Sequence, residues 1–387
     1  MPGADYPRAA VPAEALHELI PTLETRGYQV IGPALRDGAI VYEKIRRWED
    51  LPAGWGDQQE AGRYRLQKLG GGELFGYTLA PQSWKRFLHP PEVRLFEARR
   101  ENGGFRILDQ PAEAPRYAFL GVRACELAAM ALQDRVLLHD RFADPVYQGR
   151  RDQVFLIAVH CTHAAATCFC ASLDTGPKAR GGFDLALTEV SDHGRPLFVV
   201  DVGSPAGAEI LAEIGSREAS PALCRQADAA VERAAAQCRR LETAGLREAL
   251  YAHFDHPRWE QIAGRCLSCA SCTQVCPTCF CTTVEDSSDV AGAHAERRRK
   301  WDSCFTQAFS YIHGGSVRMT VKSCFRQWMT HKLASWVDQF GSLGCVGCGR
   351  CITWCPAGID ITEEARAIRE AASSPRIAAR EVDDGIA

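Results

Sequence analysis

The chain has 387 residues, a formal net charge of −3, 46% hydrophobic and 24% charged residues. That length allows two or three domains, and the composition is that of an ordinary soluble globular protein rather than a disordered or fibrous one. The charge gives no pull toward nucleic acid, and the longest apolar runs, Val154–Val159 and Leu197–Val200, are far too short to span a bilayer.

Residues 1–205 read as a mixed α/β domain. Runs rich in β-branched and aromatic residues predict strands at Tyr28–Ile31, Ala39–Ile45, Tyr117–Val122, Val154–Val159 and around Leu185–Leu187, with Asp37-Gly38 as a turn. Residues 123–134 predict a helix directly after a strand. Cys125 lies just past the Tyr117–Val122 strand and Cys161 just past Val154–Val159. If those strands are parallel neighbours, both thiols emerge at the carboxyl edge of the sheet, where ligands collect. Cys168-Phe169-Cys170 can return to that edge within one loop. Three readings stay open for Cys125, Cys161, Cys168 and Cys170: a third [4Fe–4S] cluster, a mononuclear metal site, or four unligated thiols.

Residues 206–262 predict a helical packing arm, with apolar positions near helical spacing at Ile210, Leu211 and Ile214, then at Val231, Ala234, Ala235, Cys238 and Leu241. Ser220 is expected as an N-cap with Pro221 at the first helical position. Cys224 and Cys238 have no Cys or His at ligand spacing and are expected to be buried or incidental.

Residues 263–372 hold the most informative pattern. Cys266-x2-Cys269-x2-Cys272-x3-Cys276-Pro277 recurs with identical spacing as Cys345-x2-Cys348-x2-Cys351-x3-Cys355-Pro356. This is the spacing by which bacterial-type ferredoxins hold [4Fe–4S] cubanes, the fourth Cys of each run ligating the other cluster. Cys266, Cys269, Cys272 and Cys355 are therefore expected on one cluster, and Cys345, Cys348, Cys351 and Cys276 on the second. Structural zinc would favour separated C-x2-C pairs instead. Eighteen cysteines also stand beside a Met1–Ala10 start that lacks the basic and apolar regions of a secretion signal. A reducing cytosol is therefore expected, where clustered cysteines read as ligands.

Residues 277–344 separate the half-sites, with helix-like stretches at Ala293–Asp302 and Arg326–Phe340, so an α-helical ferredoxin with inserted helices is expected. Cys279, Cys281, Cys304 and Cys324 receive no metal in this reading, and His160, His163 and His331 no role. Arg123, Arg265 and Arg350 are read either as solvated or as cations that raise a nearby cluster's potential. Residues 373–387 read as a flexible tail. No dinucleotide fingerprint, P-loop, haem-attachment motif or paired C-x2-C motifs of a nickel–iron site occur, so the chain reads as an electron carrier without a catalytic site of its own.

The runs Gly121-Val-Arg-Ala-Cys125-Glu126-Leu, Asp144-Pro-Val-Tyr147-Gln-Gly-Arg150-Arg151, Cys168-Phe-Cys170-Ala-Ser172 and Phe183-Asp-Leu-Ala-Leu-Thr188-Glu carry a family resemblance. So do Gly62-Arg-Tyr-Arg-Leu66, Phe75-Gly-Tyr, Ser83-Trp-Lys85, Cys276-Pro-Thr-Cys-Phe-Cys-Thr and Cys345-Val-Gly-Cys-Gly-Arg-Cys-Ile. Together they resemble the β subunit of cytosolic sulfhydrogenases, which are NAD(P)-linked nickel–iron hydrogenases, and the corresponding electron-transfer subunit of the anaerobic sulfite reductase. The likeness runs from about residue 28 to 365, with Ala124 where the family usually has Pro and Glu126 where it has Asp. It implies a cytosolic iron–sulfur subunit relaying electrons between hydrogenase subunits, or sulfite reductase subunits, and an FAD/NAD(P)-binding reductase subunit. A reading from another class, a non-catalytic iron–sulfur redox sensor, fits two cross-ligated cubanes less well, because sensor clusters are typically single and labile.

Overall fold

The computed structural model describes residues 6–109, 114–192 and 195–373; residues 374–387 of the expected tail lie outside them. The largest sheet has eight strands. In spatial order they are Arg217–Glu218, Ala9–Pro12, Arg195–Val202, Leu185–Asp192, Phe155–Val159, Tyr117–Val122, Gln29–Arg36 and Ala39–Lys44. The four strands from Leu185–Asp192 to Gln29–Arg36 run parallel, and the flanking pairs are antiparallel.

The central strands are continuous apolar runs because both faces are covered, as parallel sheets require. One face packs Leu120, Ile157 and Phe198 against Leu19, Leu23, Ile210 and Ile214. The other packs Phe119, Leu156 and Ala158 against Trp84, Leu127, Met130 and Tyr147. Every strand expected from the sequence in this region is present. Asp37 and Gly38, at φ +46° and +76°, make the two-residue turn between paired Arg36 and Ala39. The expected post-strand helix runs Ala124–Leu137. Ser220 caps Pro221–Ala235, its hydroxyl accepting from Leu223 N–H.

A second sheet joins distant parts of the chain. The hairpin Glu92–Glu101/Gly104–Asp109 is extended by the hairpin Thr282–Ser288/His294–Trp301 into four antiparallel strands. Here the expectation of a helix over Ala293–Asp302 is corrected: His294–Trp301 is a strand. The segment is charged on both faces and carries no period-2 apolar signal, so periodicity could not separate helix from strand. Cross-strand charges decide it: Arg297 pairs with Asp286, Lys300 with Glu285, and Arg298 with Glu92. The expected helix at Arg326–Phe340 is present as Val321–Thr330 running on into Trp336–Phe340 through a π-helical turn at His331–Ser335.

The C-terminal core gathers Trp259, Phe305, Phe325, Trp328, Leu333, Ile352, Ile359 and Ile368 around the ferredoxin loops.

Candidate iron–sulfur centres

The two cysteine loops repeat one backbone path. After each first cysteine the chain turns through two left-handed residues, Ser268 and Ala270 in one loop and Gly347 and Gly349 in the other, at φ +53°, +62°, +63° and +75°. This turn aims backbone N–H groups back at sulfur: Ser268 N to Cys266 Sγ at 3.4 Å and Gly347 N to Cys345 Sγ at 3.5 Å. Such donors to thiolate sulfur are one of the levers that set cluster potential. The second loop uses glycine at both positions for a further reason. A Cβ on Gly347 would lie 2.7 Å from Cys170 Cα, and one on Gly349 2.3 Å from the Thr167 carbonyl oxygen.

The structure brings the expected ligands together in the interleaved sets. Cys266, Cys269, Cys272 and Cys355 line one small cavity with Phe305, Phe325 and Trp328, and Cys351 of the other set reaches its wall. Burial pushes the Cys272 thiol well up, with Cys304, Cys266 and Cys355 the nearest ionisable neighbours. In the second set Cys351 is half-buried beside Cys345, Cys348 and Cys276. Burial pushes the Cys345 thiol up to about 12, the Lys332 cation opposing it. No three described His, Cys, Asp or Glu side chains close on a single-ion site.

Two buried lysines face the second set. The π-helical turn carries Lys332, whose Nζ donates to Cys276 Sγ at 3.2 Å and Thr278 Oγ1 at 2.9 Å. Burial alone would discharge this ammonium, but the sulfurs of Cys276, Cys279 and Cys345 hold its pKa well above the ordinary lysine value. A hydrogen bond from Cys279, and then the Lys332 charge, hold the Cys276 thiol well below its ordinary value. Lys85 Nζ donates to the Cys279 carbonyl at 3.1 Å and stands 3.9 Å from the Trp301 ring centroid.

The Tyr117–Val122 and Phe155–Val159 strands are parallel neighbours, so Cys125 and Cys161 do leave the same sheet edge. Cys125 and Cys170 share one buried cluster with Cys348 of the second ferredoxin loop. Burial pushes up the Cys168 thiol, beside Cys170 and Cys161. The Cys168–Cys170 loop is tied to the ferredoxin loop directly: Phe169 N donates to Gly347 O at 2.9 Å, and Thr175 Oγ1 to Val346 O at 2.7 Å. Gln237 Nε2 donates to Cys170 Sγ at 3.1 Å.

Arg123 and Arg350 are not solvated. Both are buried, whereas Arg265 is about half exposed and pairs with Glu364. Arg350 of the second loop donates to Ala80 O at 2.8 Å and pairs with Glu126, the residue after Cys125. The other Glu126 oxygen accepts from the Tyr42 hydroxyl and the Trp84 indole, both at 3.0 Å. Arg123 donates to the Phe75 and Tyr77 carbonyls at 3.1 and 2.6 Å. His160, without an assigned role, bridges Asp201 and the Ala179 N–H inside the sheet domain. Cys238 is exposed, and Cys224 lies partly buried against the sheet.

A family model described as a 4Fe-4S dicluster domain matches residues 265–359. The chain is 30% identical over 334 residues to sulfhydrogenase 2 subunit beta of Pyrococcus furiosus, an alignment covering 85% of this chain and 96% of that protein. No solved structure matches it.

Proposed function

The chain belongs to the sulfhydrogenase β-subunit family, and on that premise we propose that it is the iron–sulfur electron-transfer subunit of a hydrogenase-type complex, carrying two cross-ligated [4Fe–4S] clusters and a third at the sheet edge. The observation that carries this reading is the interleaving of the two motifs, with Cys355 beside Cys266, Cys269 and Cys272, and Cys276 beside Cys345, Cys348 and Cys351. Cubanes bound there would relay single electrons.

The residues of this chain set the conditions for that relay. Lys332 and the loop N–H groups place positive charge and donors at the second set. The aromatic walls of Phe305, Phe325 and Trp328 cover one side of the first. Cys269 and Leu267 are exposed, which marks the first set as the end facing an electron partner. Cys348 packs against Cys125 and Cys170, which makes the N-terminal thiols the continuation of the path. The partners would be hydrogenase subunits together with a flavin-containing NAD(P) reductase subunit, in a reducing cytoplasm. Among the described residues no helix is long and apolar enough to cross a membrane.

Anaerobic affinity purification of the tagged chain from its own cells tests this, with nickel, iron, flavin and the visible spectrum measured on what co-elutes. Nickel together with a flavoprotein is the expected outcome. A sirohaem band without nickel would move the assignment to sulfite reduction. Absence of a paramagnetic signal after dithionite reduction would end the electron-carrier reading.

A further inference from the structure

Beyond the two motif sets and the sheet-edge thiols, a cleft of about 680 Å³ opens beside the second set. Its wall holds three cysteines with no place in that scheme: Cys279 and Cys281 from the turn after the first motif, and Cys304 from the loop after the His294–Trp301 strand. They come from two elements that the four-stranded sheet brings together, since Thr282 pairs with Trp301 and Asp302 N donates to Cys281 O at 2.9 Å.

The remaining lining is rich in donors. Lys332 and Arg318 reach the cleft, as does Trp328, whose buried indole N–H has no protein partner; Arg318 Nε is likewise buried and unpartnered. Thiols ringed by cations and free N–H groups suit an occupant with soft metal corners and negatively charged acceptor atoms. A thiolate-ligated iron–sulfur cluster has both, its sulfides accepting hydrogen bonds and its net charge meeting the cations. A bare zinc ion would offer these donors nothing to bond. The spacing agrees: Cys279-Phe280-Cys281 repeats the Cys168-Phe169-Cys170 unit of the sheet edge.

We infer that Cys279, Cys281 and Cys304 hold a further iron–sulfur cluster, with three thiolates on three irons and the fourth iron facing the open cleft, where His331 stands. Binding releases one proton from each thiol and involves no change of oxidation state in the protein. Lys332 Nζ donates to Cys276 Sγ and also lines the cleft, so this cluster sits next to the second motif set and forms a branch off the main path.

The test is iron and acid-labile sulfide per chain in the anaerobically purified complex. Cys281→Ser and Cys304→Ser should each lose about four iron atoms while still assembling with the same partners, counting four per cubane. Cys238→Ser, on the exposed arm, should lose none. Assembled Cys281→Ser and Cys304→Ser complexes with undiminished iron would overturn the proposal. A measurement that leaves the cleft untouched also decides it. The Cys125→Ser chain should keep about twelve iron atoms if this cluster exists and about eight if only the two motif clusters remain. Failure of the motif reading is distinguishable, because it would show as full iron retention in Cys348→Ser.

Discussion

Arg350 and Glu126 form an ion pair with both side chains essentially out of solvent, one in the second ferredoxin loop and the other one residue past Cys125. Ala80 O accepts from Arg350 Nε, and Tyr42 and Trp84 donate to the second Glu126 oxygen, while Arg350 Nη1 is buried without a partner. Removing one partner strands a buried charge, so Glu126→Ala should destabilise the protein by roughly 3–5 kcal/mol, well above the cost of an exposed pair. Denaturant titration of the anaerobic protein checks this, and a loss under about 1 kcal/mol, the range of a surface pair, would contradict the burial. Lys332 acts on potential more than on fold. Lys332→Met should make one cluster harder to reduce by on the order of 100 mV, about 2 kcal/mol for one electron. Potentiometric EPR reads this shift, and an unchanged midpoint would remove Lys332 from the tuning environment.

At the scale of elements, Gly347 is the tightest point between the ferredoxin and sheet-edge loops. Gly347→Ala would need a Cβ 2.7 Å from Cys170 Cα at a left-handed φ, so the loops must part. A cost of about 2 kcal/mol or more and loss of iron from the sheet-edge thiols first is expected, since the left-handed penalty alone is roughly 1–2 kcal/mol. Iron content against temperature measures it. Sequence legibility varied by element for physical reasons. The cysteine loops, the Asp37-Gly38 turn and the Ser220-Pro221 cap are local signals, written where they act. The Glu92–Asp109 and Thr282–Trp301 hairpins are not, because their stability comes from pairing with each other across the chain. The buried Arg350 was equally illegible: an arginine in a polar loop looks solvated until its distant carboxylate is placed. The cysteines of the cleft were visible as residues, but Cys281 and Cys304 converge through the Thr282–Trp301 hairpin, whose charged and polar strands carry no apolar alternation.

For the whole molecule, buried neutral histidines set an acid limit. His89 is pushed down to about 3 by burial and by the Arg299 and Lys85 charges, and neither ring nitrogen has a partner. The unfolded chain protonates this ring near pH 6.5 while the folded one does not, so stability falls as pH drops below about 6.5 and levels off only near the folded value. Between about pH 7 and pH 5 this one group should cost roughly 2 kcal/mol. His89→Phe, which keeps the stack on Trp301, should flatten that part of the profile. An identical pH profile in the variant would assign the acid loss to other groups. The second sheet and the Tyr311–Met319 segment carry exposed apolar residues, among them Phe105, Ile107, Val284, Tyr311 and Met319.

That second sheet also dictates an order of events during synthesis. The Glu92–Glu101 strand leaves the ribosome with one edge unpaired, and its partner, His294–Trp301, begins 193 residues after Glu101. At ordinary elongation rates the wait is roughly 10–40 s. The nascent chain must hold an open strand edge for that time, and the arginines and glutamates along it are the kind of gatekeepers that keep such an edge from pairing with a neighbour. Cleft cysteines Cys281 and Cys304 flank the hairpin that completes this sheet, so metal loading there belongs to the last stage of the polypeptide's birth.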